Sequence, residues 1–454
     1  MDVRVVLNFA VLTRGLSLLL QALLNSAIPD HEADAFRPPR LEEPLYLDPM
    51  VEWCFGGLSH WDAEHFLFIA ERGYLALFLL SVVALHALSR AVLQDRRLAL
   101  LSSLLYCLTP ANVFMTAGYS ESLFAALTFG GLFLLEKGFT FRACLALGIA
   151  TAARSNGLVN VGFLLYLPSL RALSRIRAYR TGGGAATTGH GRALRYTWVV
   201  ARLLLTSLLG TALIALPFVA FQYYGYRTFC TPSISLERVA PALVSLAERK
   251  GYRMPDENGL PPLWCMRPLP LLYSHIQEVY WDVGFLRYFE LKQAPNFLLA
   301  LPMAGLGVAA AYAYYQANPD MCHRLGLWEG AGGRLDKPTP GFFNPKVFVY
   351  VVHSTVLLVF GTLCMHVQVL TRFMASSSPV PFWISAHLLL LNEPLLHRRK
   401  TTVPNVSLRP LHNPVSALLP HWRTCSPTTQ CILGYFLSYW VLGLALHCNF
   451  LPWT

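Results

Sequence analysis

Apolar runs, most of them long enough to cross a bilayer and several of them short, alternate with polar segments along nearly the whole chain. The first run, residues 3–28, carries Arg4, Asn8 and Arg14 and ends without a small-residue cleavage site, so it reads as an uncleaved anchor. Further runs cover 75–93, 98–114, 123–135, 143–167, 196–221, 296–315, 347–370, 379–391 and 431–451. This pattern predicts an all-α, polytopic membrane helix bundle of roughly 8–10 transmembrane or re-entrant segments, at about 20 residues per full crossing. No soluble domain and no solenoid period interrupts it, so residues 1–454 form one multi-pass domain.

The charges between the runs set the topology. Residues 29–43 are acidic and almost free of lysine, as expected outside the cytosol, whereas Arg96-Arg97, residues 171–195 and His397-Arg398-Arg399-Lys400 mark the cytosolic side. The run 143–167 is interrupted by Arg154-Ser155-Asn156-Gly157. Taken as one helix, it would put the arginine-rich 171–195 loop on the wrong side. Two segments meeting near Arg154 keep that loop cytosolic, and this arrangement is preferred. Two luminal excursions then stand out, residues 29–74 and 222–293.

Composition supports this class, with 54% hydrophobic and 13% charged residues. The net charge of +11 is spread over short connecting segments, so it sets topology and does not bind nucleic acid. Ten cysteines include no Cys-x-x-Cys pair, which argues against a sulfur metal site. Cys230 and Cys265 share one polar region and can pair if that region faces an oxidising lumen. Asn405-Val406-Ser407 matches a glycosylation acceptor, but its basic neighbours place it in the cytosol, unmodified.

Candidate chemistry gathers on the luminal side. In the cluster Ser59-His60-Trp61-Asp62-Ala63-Glu64-His65, two carboxylates and two imidazoles sit at a membrane surface, where they are costly to bury and suited to proton transfer. Asp62 is the candidate base, with Glu64 holding His60 or a substrate hydroxyl, and His65 at helical spacing from Asp62. Arg154 lies inside an apolar run, where an arginine costs roughly 2.5–3.5 kcal/mol, so it is either a substrate ligand or a partner for carbonyls freed at a break beside Asn156. Arg372 suits a phosphate clamp or ordinary interfacial snorkelling. Tyr280, Trp281 and Asp282 either bind sugar or anchor the membrane interface. Glu121 follows a polar turn, where it suits the N-terminus of the next helix. With no Asp-x-Asp motif and no Gly-rich phosphate loop, neither a metal nor a nucleotide sugar is expected.

Several motifs occur in a fixed order: the His60–His65 cluster, Pro110-Ala111-Asn112-Val113-Phe114, Gly118-Tyr119-Ser120-Glu121, Arg154-Ser155-Asn156-Gly157-Leu158, Phe221-Gln222-Tyr223-Tyr224, Tyr280-Trp281-Asp282-Val283-Gly284-Phe285 and Gln368-Val369-Leu370-Thr371-Arg372-Phe373. With the ending His447-Cys448-Asn449-Phe450-Leu451-Pro452-Trp453-Thr454, they cover nearly the whole chain. The ordered set resembles the GPI mannosyltransferase 2 family, the phosphatidylinositol-glycan biosynthesis class V proteins. That resemblance implies the glycosyltransferase C type of fold, a multi-pass location in the endoplasmic reticulum membrane, and α-1,6 transfer of the second mannose. The donor would be dolichyl phosphate mannose and the acceptor the GPI glycolipid precursor, with no cofactor. The resemblance also gives Asp62, in the first luminal loop, the role of catalytic carboxylate. His60, Trp61, Glu64, His65, Glu121, Arg154, Asn156, Tyr280, Trp281, Asp282 and Arg372 would surround the substrates.

One departure from the family accompanies the match. After Arg72-Gly73-Tyr74 the family continues with an Asn-Phe-Ala-Phe-Phe-Pro stretch and an amphipathic luminal segment, whereas here Leu75 enters the next apolar run directly. The expectation is a shortened form of the enzyme. The rival classes are a lipid transporter or flippase, which would show inverted hydropathy repeats that are not found, and an inactive form acting only as a binding subunit.

Overall fold

In the computed structural model, residues 2–28, 74–117, 119–181, 189–230, 240–249, 262–327, 339–397 and 413–449 are described. Helices α1 (Asp2–Ala27), α2 (Tyr74–Leu93), α3 (Arg96–Cys107), α4 (Asn112–Thr116), α5 (Glu121–Glu136) and α6 (Thr140–Ala153) make up the N-terminal half. They are followed by α7 (Val161–Thr181), α8 (Gly189–Phe229), α9 (Leu272–Val279), α10 (Ala294–Ala317), α11 (Phe348–Cys364), α12 (Leu370–Ser377), α13 (Val380–Asn392) and α14 (Pro427–Cys448). Among the described residues there is no strand. Among the described residues seven helical spans are long and apolar enough to cross a membrane, and eight if α12 and α13, bent by 80° at their junction, count as one. The chain is an all-α polytopic membrane bundle.

Polar contacts sort the helix ends onto two faces. Arg96 grips Asp2 with two hydrogen bonds of 2.6 and 2.7 Å, joining the start of α1 to the start of α3. Asp95 caps α3 by accepting from the N–H groups of Arg97 and Leu98, satisfying donors that a helix start leaves free. On the same face Arg171 donates to the carbonyls of Leu135 and Glu136 at the end of α5, and Tyr350 donates to Glu136 at 2.9 Å. The opposite face carries the Cys230–Cys265 disulfide, just past the end of α8. A disulfide there and arginines at the other end agree with the topology set by charge.

The run interrupted at Arg154 is a helical hairpin. Helix α6 ends where Arg154 turns extended, a 3-10 stretch follows over Ser155–Asn160, and α7 runs back until Arg171 reaches the end of α5. Both ends of the pair therefore lie on the arginine face, as two segments require. Gly148 lets α6 and α8 pack backbone to backbone, since a Cβ there would sit 2.8 Å from the Leu213 carbonyl oxygen.

The run 98–114 differs from a plain crossing. Helix α3 stops at Cys107, before Pro110, which cannot continue a helix, and α4 is only 5 residues long. Buried Arg14 of α1 repairs the break: it donates to the Cys107 carbonyl at 3.1 Å, to the Asn112 carbonyl at 3.2 Å and to Thr116 Oγ1 at 2.5 Å. Its guanidinium also lies 4.2 Å from the Phe78 ring centroid. Nearby, Tyr106 is fully buried, stacked on Phe78 and edge-on to Phe129 and Phe382, and its hydroxyl meets Ser81 at 3.0 Å.

Helix lengths shape the bundle. Helices α5, α6 and α13 have 16, 14 and 13 residues, so at about 1.5 Å per residue they rise only about 20–24 Å from the arginine face, less than the ~30 Å hydrocarbon core. Helices α1, with 26 residues, α8, with 41, and α10, with 24, continue past them. The far ends of the short helices thus stop below those of the long ones, which leaves a step, or recess, on the face opposite the arginines. Only 11% of the apolar window of α8 is buried, so this helix faces lipid.

Candidate functional site

The buried floor of that recess is a carboxylate. Glu121, the first residue of α5, has no exposed side-chain surface and accepts a 2.5 Å hydrogen bond from Arg154 Nη1 at the end of α6. Arg154, 22% exposed, also donates to Ser120 Oγ at 3.3 Å. Burying an unpaired charge costs several kcal/mol, so each of these residues explains the other. The polar turn before α5 is not a surface loop: Tyr119, Glu121 and Ser122 are all buried. Ser122 Oγ donates to the Met115 carbonyl, folding α5 against α4. Arg154 therefore holds a carboxylate and donates to no carbonyl among the described residues; Arg14 plays the carbonyl-satisfying part at a different break, between α3 and α4.

The hairpin turn is fastened on two sides. Asn156 Nδ2 donates to Ser377 Oγ at 2.8 Å, tying the turn to α12. Ser155 Oγ donates to the Tyr273 hydroxyl at 2.9 Å, tying it to α9, and Trp281 meets the Tyr273 ring edge-on at 6.2 Å. Gly157 is required by space, because a Cβ there would lie 2.7 Å from the backbone of Thr151.

Arg372 lies on α12, five residues before Ser377. Its guanidinium stands 4.8 Å from the Phe114 ring and 5.9 Å from the Tyr119 ring. Among the described residues no carboxylate or carbonyl accepts from it, and its Nε is buried without a partner. Tyr119 in turn lies 3.3 Å from His447 Nε2, near the end of α14. The two rings touch each other edge-on at 5.0 Å, so both lie on one side of the cation, and among the described residues its donors meet no carboxylate or carbonyl.

Glu121, Arg154, Asn156 and Arg372 thus converge on one end of the bundle, with Trp281 at its edge. Tyr280 and Asp282 do not join them. Tyr280 is exposed and edge-on to His275, and Asp282, with a left-handed φ of 47°, pairs with Arg287 at 3.3 Å. In the same loop Arg267 donates to Glu278 at 3.1 Å and holds its carboxyl below the usual range. The cluster His60, Trp61, Asp62, Glu64 and His65 lies outside the described residues, as do most of the 29–74 loop and Asn405. Reasoning from sequence left Tyr119, His447, Ser377 and Tyr273 out of the site. Aromatic and small polar residues near helix ends are common, and only the fold shows which of them meet.

Comparison with known proteins decides what this arrangement belongs to. The family model described as "Mannosyltransferase (PIG-V)" matches residues 3–76 and 75–454. This chain is a member of the PIG-V mannosyltransferase family. It is 45% identical over 511 aligned positions to the Homo sapiens protein named GPI alpha-1,6-mannosyltransferase 2, covering 99% of this chain and 98% of that one. It is 47% identical over 509 positions to the Cricetulus griseus protein of the same name, with the same coverage. It is 29% identical to the Drosophila melanogaster protein named GPI mannosyltransferase 2, covering 99% of both chains. No solved structure matches.

The PIG-V match also locates a gap. The model is met in two stretches that join at residues 75–76, where Tyr74 opens α2. An alignment of 511 positions is longer than a chain of 454 residues, so the human relative carries sequence that this chain lacks. The departure after Tyr74 falls on that junction.

Proposed function

We propose that this PIG-V family member transfers mannose in α-1,6 linkage from dolichyl phosphate mannose to the GPI glycolipid precursor, at the luminal face of the endoplasmic reticulum membrane. The observation that supports this reading is Arg372, a guanidinium packed beside the Phe114 and Tyr119 rings whose donors meet no carboxylate or carbonyl among the described residues, at the end of the bundle opposite the arginine face. A lipid-linked sugar phosphate needs such a place. Its isoprenoid tail stays in lipid, its phosphate meets a cation, and its sugar enters a polar pocket. Two lipid substrates also account for a catalyst built into a bilayer, with no bound cofactor.

The reaction is one displacement. The 6-hydroxyl oxygen of the acceptor mannose attacks the anomeric carbon of the donor as the bond from that carbon to the phosphate oxygen breaks. Dolichyl phosphate leaves with the bonding electrons, and the hydroxyl proton passes to a carboxylate. A β-linked donor and an α-linked product require inversion, for which a single base suffices. Asp62 is that base in this reading. Arg372 neutralises charge growing on the leaving phosphate. Glu121, fully buried and bonded to Arg154, lies beneath the site and positions that arginine.

Asp62→Asn tests the base, because the amide keeps the shape and cannot take a proton. Purified protein with radiolabelled dolichyl phosphate mannose should lose transfer while eluting as a folded monodisperse species. Near-normal turnover would remove Asp62 from this role.

The junction at residues 75–76 favours a second, narrower reading: this chain is a shortened form with reduced transfer. The segment absent after Tyr74 belongs beside the recess, where it would help to hold the lipid substrate.

A further inference from the structure

On the arginine face, opposite the recess, the turn between α5 and α6 and the adjoining parts of α7 and α8 enclose a cavity of about 520 Å³. Four arginines line it: Arg142 from α6, Arg171 and Arg175 from α7, and Arg202 from α8. No aspartate or glutamate lines it, and none of the four pairs with a carboxylate among the described residues. The nearest acid by chain position, Glu136, accepts from Tyr350 and is close enough to feel the charge of Arg171 without pairing with it, so it offsets one of the four charges only in part. Arg171 spends donors on the α5 carbonyls, while Arg142 and Arg202 lie over Phe139 and Trp198 at 5.6 and 5.3 Å. Arg175 is exposed and has no such contact.

Four like charges around one cavity repel each other unless an anion joins them. The first turn of α6 opens on the same cavity, and its N-cap residue, Phe139, supplies no side-chain acceptor, so backbone N–H groups add to the positive field. The rim is apolar: Phe139 is 53% and Phe141 74% exposed, and the outer side of α8 beside Arg202 shows Leu204 and Leu208 at 64% and 70%. A soluble anion has no use for such a rim, but acyl chains do.

We propose that this cavity binds the phosphate-bearing headgroup of an anionic phospholipid of the cytosolic leaflet, its acyl chains lying along α8. The site is separate from the mannosyl-transfer recess, by the depth of the bundle, and does not depend on that assignment. Its occupancy would anchor the α5–α6 turn and the α7–α8 ends to the leaflet.

The test uses the full chain in phosphatidylcholine nanodiscs, with short-chain phosphatidylinositol monophosphate as the probe. Wild type should bind the probe about tenfold more tightly than Arg175→Gln/Arg202→Gln, the loss expected when charge-assisted contacts to phosphate go. Arg97→Gln, at the same face but outside the cavity, should bind like wild type. Thermal melting of each variant in nanodiscs confirms that it is folded. Equal weakening by Arg97→Gln would mean that general surface charge is read and would overturn the site. Equally tight binding of a soluble inositol bisphosphate would overturn the lipid assignment, and no binding by wild type would overturn both.

Discussion

Glu121 and Arg154, 33 residues apart in the chain, meet at 2.5 Å where helix α5 begins and helix α6 ends, on the face opposite the arginines. The pair joins the start of α5 to the turn of the α6–α7 hairpin, at the same end as Arg372, so it sets the shape of the recess as well as its charge. Each residue removes a cost that the other would suffer alone.

Breaking one side of this pair should therefore be worse than replacing both. Arg154→Met should destabilise the protein by about 3–5 kcal/mol, the cost of leaving a buried charge without its partner. Glu121→Gln/Arg154→Met should recover a clear part of that stability while remaining inactive. Thermal unfolding in detergent, followed by fluorescence-detected size exclusion, measures both. If the double variant loses the sum of the two single losses, the residues are not coupled.

Arg372→Lys should raise the KM for dolichyl phosphate mannose about tenfold and leave the acceptor KM nearly unchanged. Lysine keeps the charge but loses the planar, two-pronged fork and its packing against the Phe114 and Tyr119 rings. The KM is read with each substrate varied in turn. A matched rise for both substrates would make Arg372 a structural residue.

Gly157→Ala should displace the hairpin turn, because its Cβ would come within 2.7 Å of the Thr151 backbone, which cannot rotate away as a side chain would. Overpacking of this kind costs about 1–3 kcal/mol. The turn also fixes Arg154 and Asn156, so transfer should fall further than the loss of stability explains. Activity per folded molecule, measured beside the melting temperature, separates these effects. Unchanged activity at a lowered melting temperature would confine Gly157 to a packing role.

The helical class, the hairpin at Arg154 and the two faces were legible because each is written in local chemistry. Apolar length gives the spans, arginine and lysine give the side, and Arg154-Ser155-Asn156-Gly157 marks a break no straight helix would carry. The shortness of α3 was not legible. Residues 98–114 look like one crossing, and only Arg14, a side chain from a helix far away in sequence, supports a stop at Cys107. Glu121 and Arg154 could each be singled out as costly charges, but sequence does not say that they pay that cost to each other. Tyr280 and Asp282 show the reverse. They lie in a motif beside Trp281, yet the backbone turns them into contacts of their own loop.

The last prediction concerns the junction after Tyr74, where the two stretches of the family match meet and α2 begins. Helix α2 has 20 residues, about 30 Å at 1.5 Å per residue, enough to cross, so insertion and the packing of α2 against α5 should survive without the absent segment. Catalysis is less tolerant. The donor's sugar must be held against the base while its tail stays in lipid, and a displacement on the order of 1 Å costs roughly a hundredfold in rate. Expressed in cells lacking the endogenous enzyme, this chain should reach the membrane in normal amount yet restore few GPI-anchored proteins at the cell surface. Inserting the family's Phe-Phe-Pro stretch and the luminal segment that follows it between Tyr74 and Leu77 should restore them. Flow cytometry of a GPI-anchored marker, normalised to membrane abundance, gives the comparison. Full restoration by the chain without the insertion would show that the recess alone positions the substrates and that the segment is dispensable.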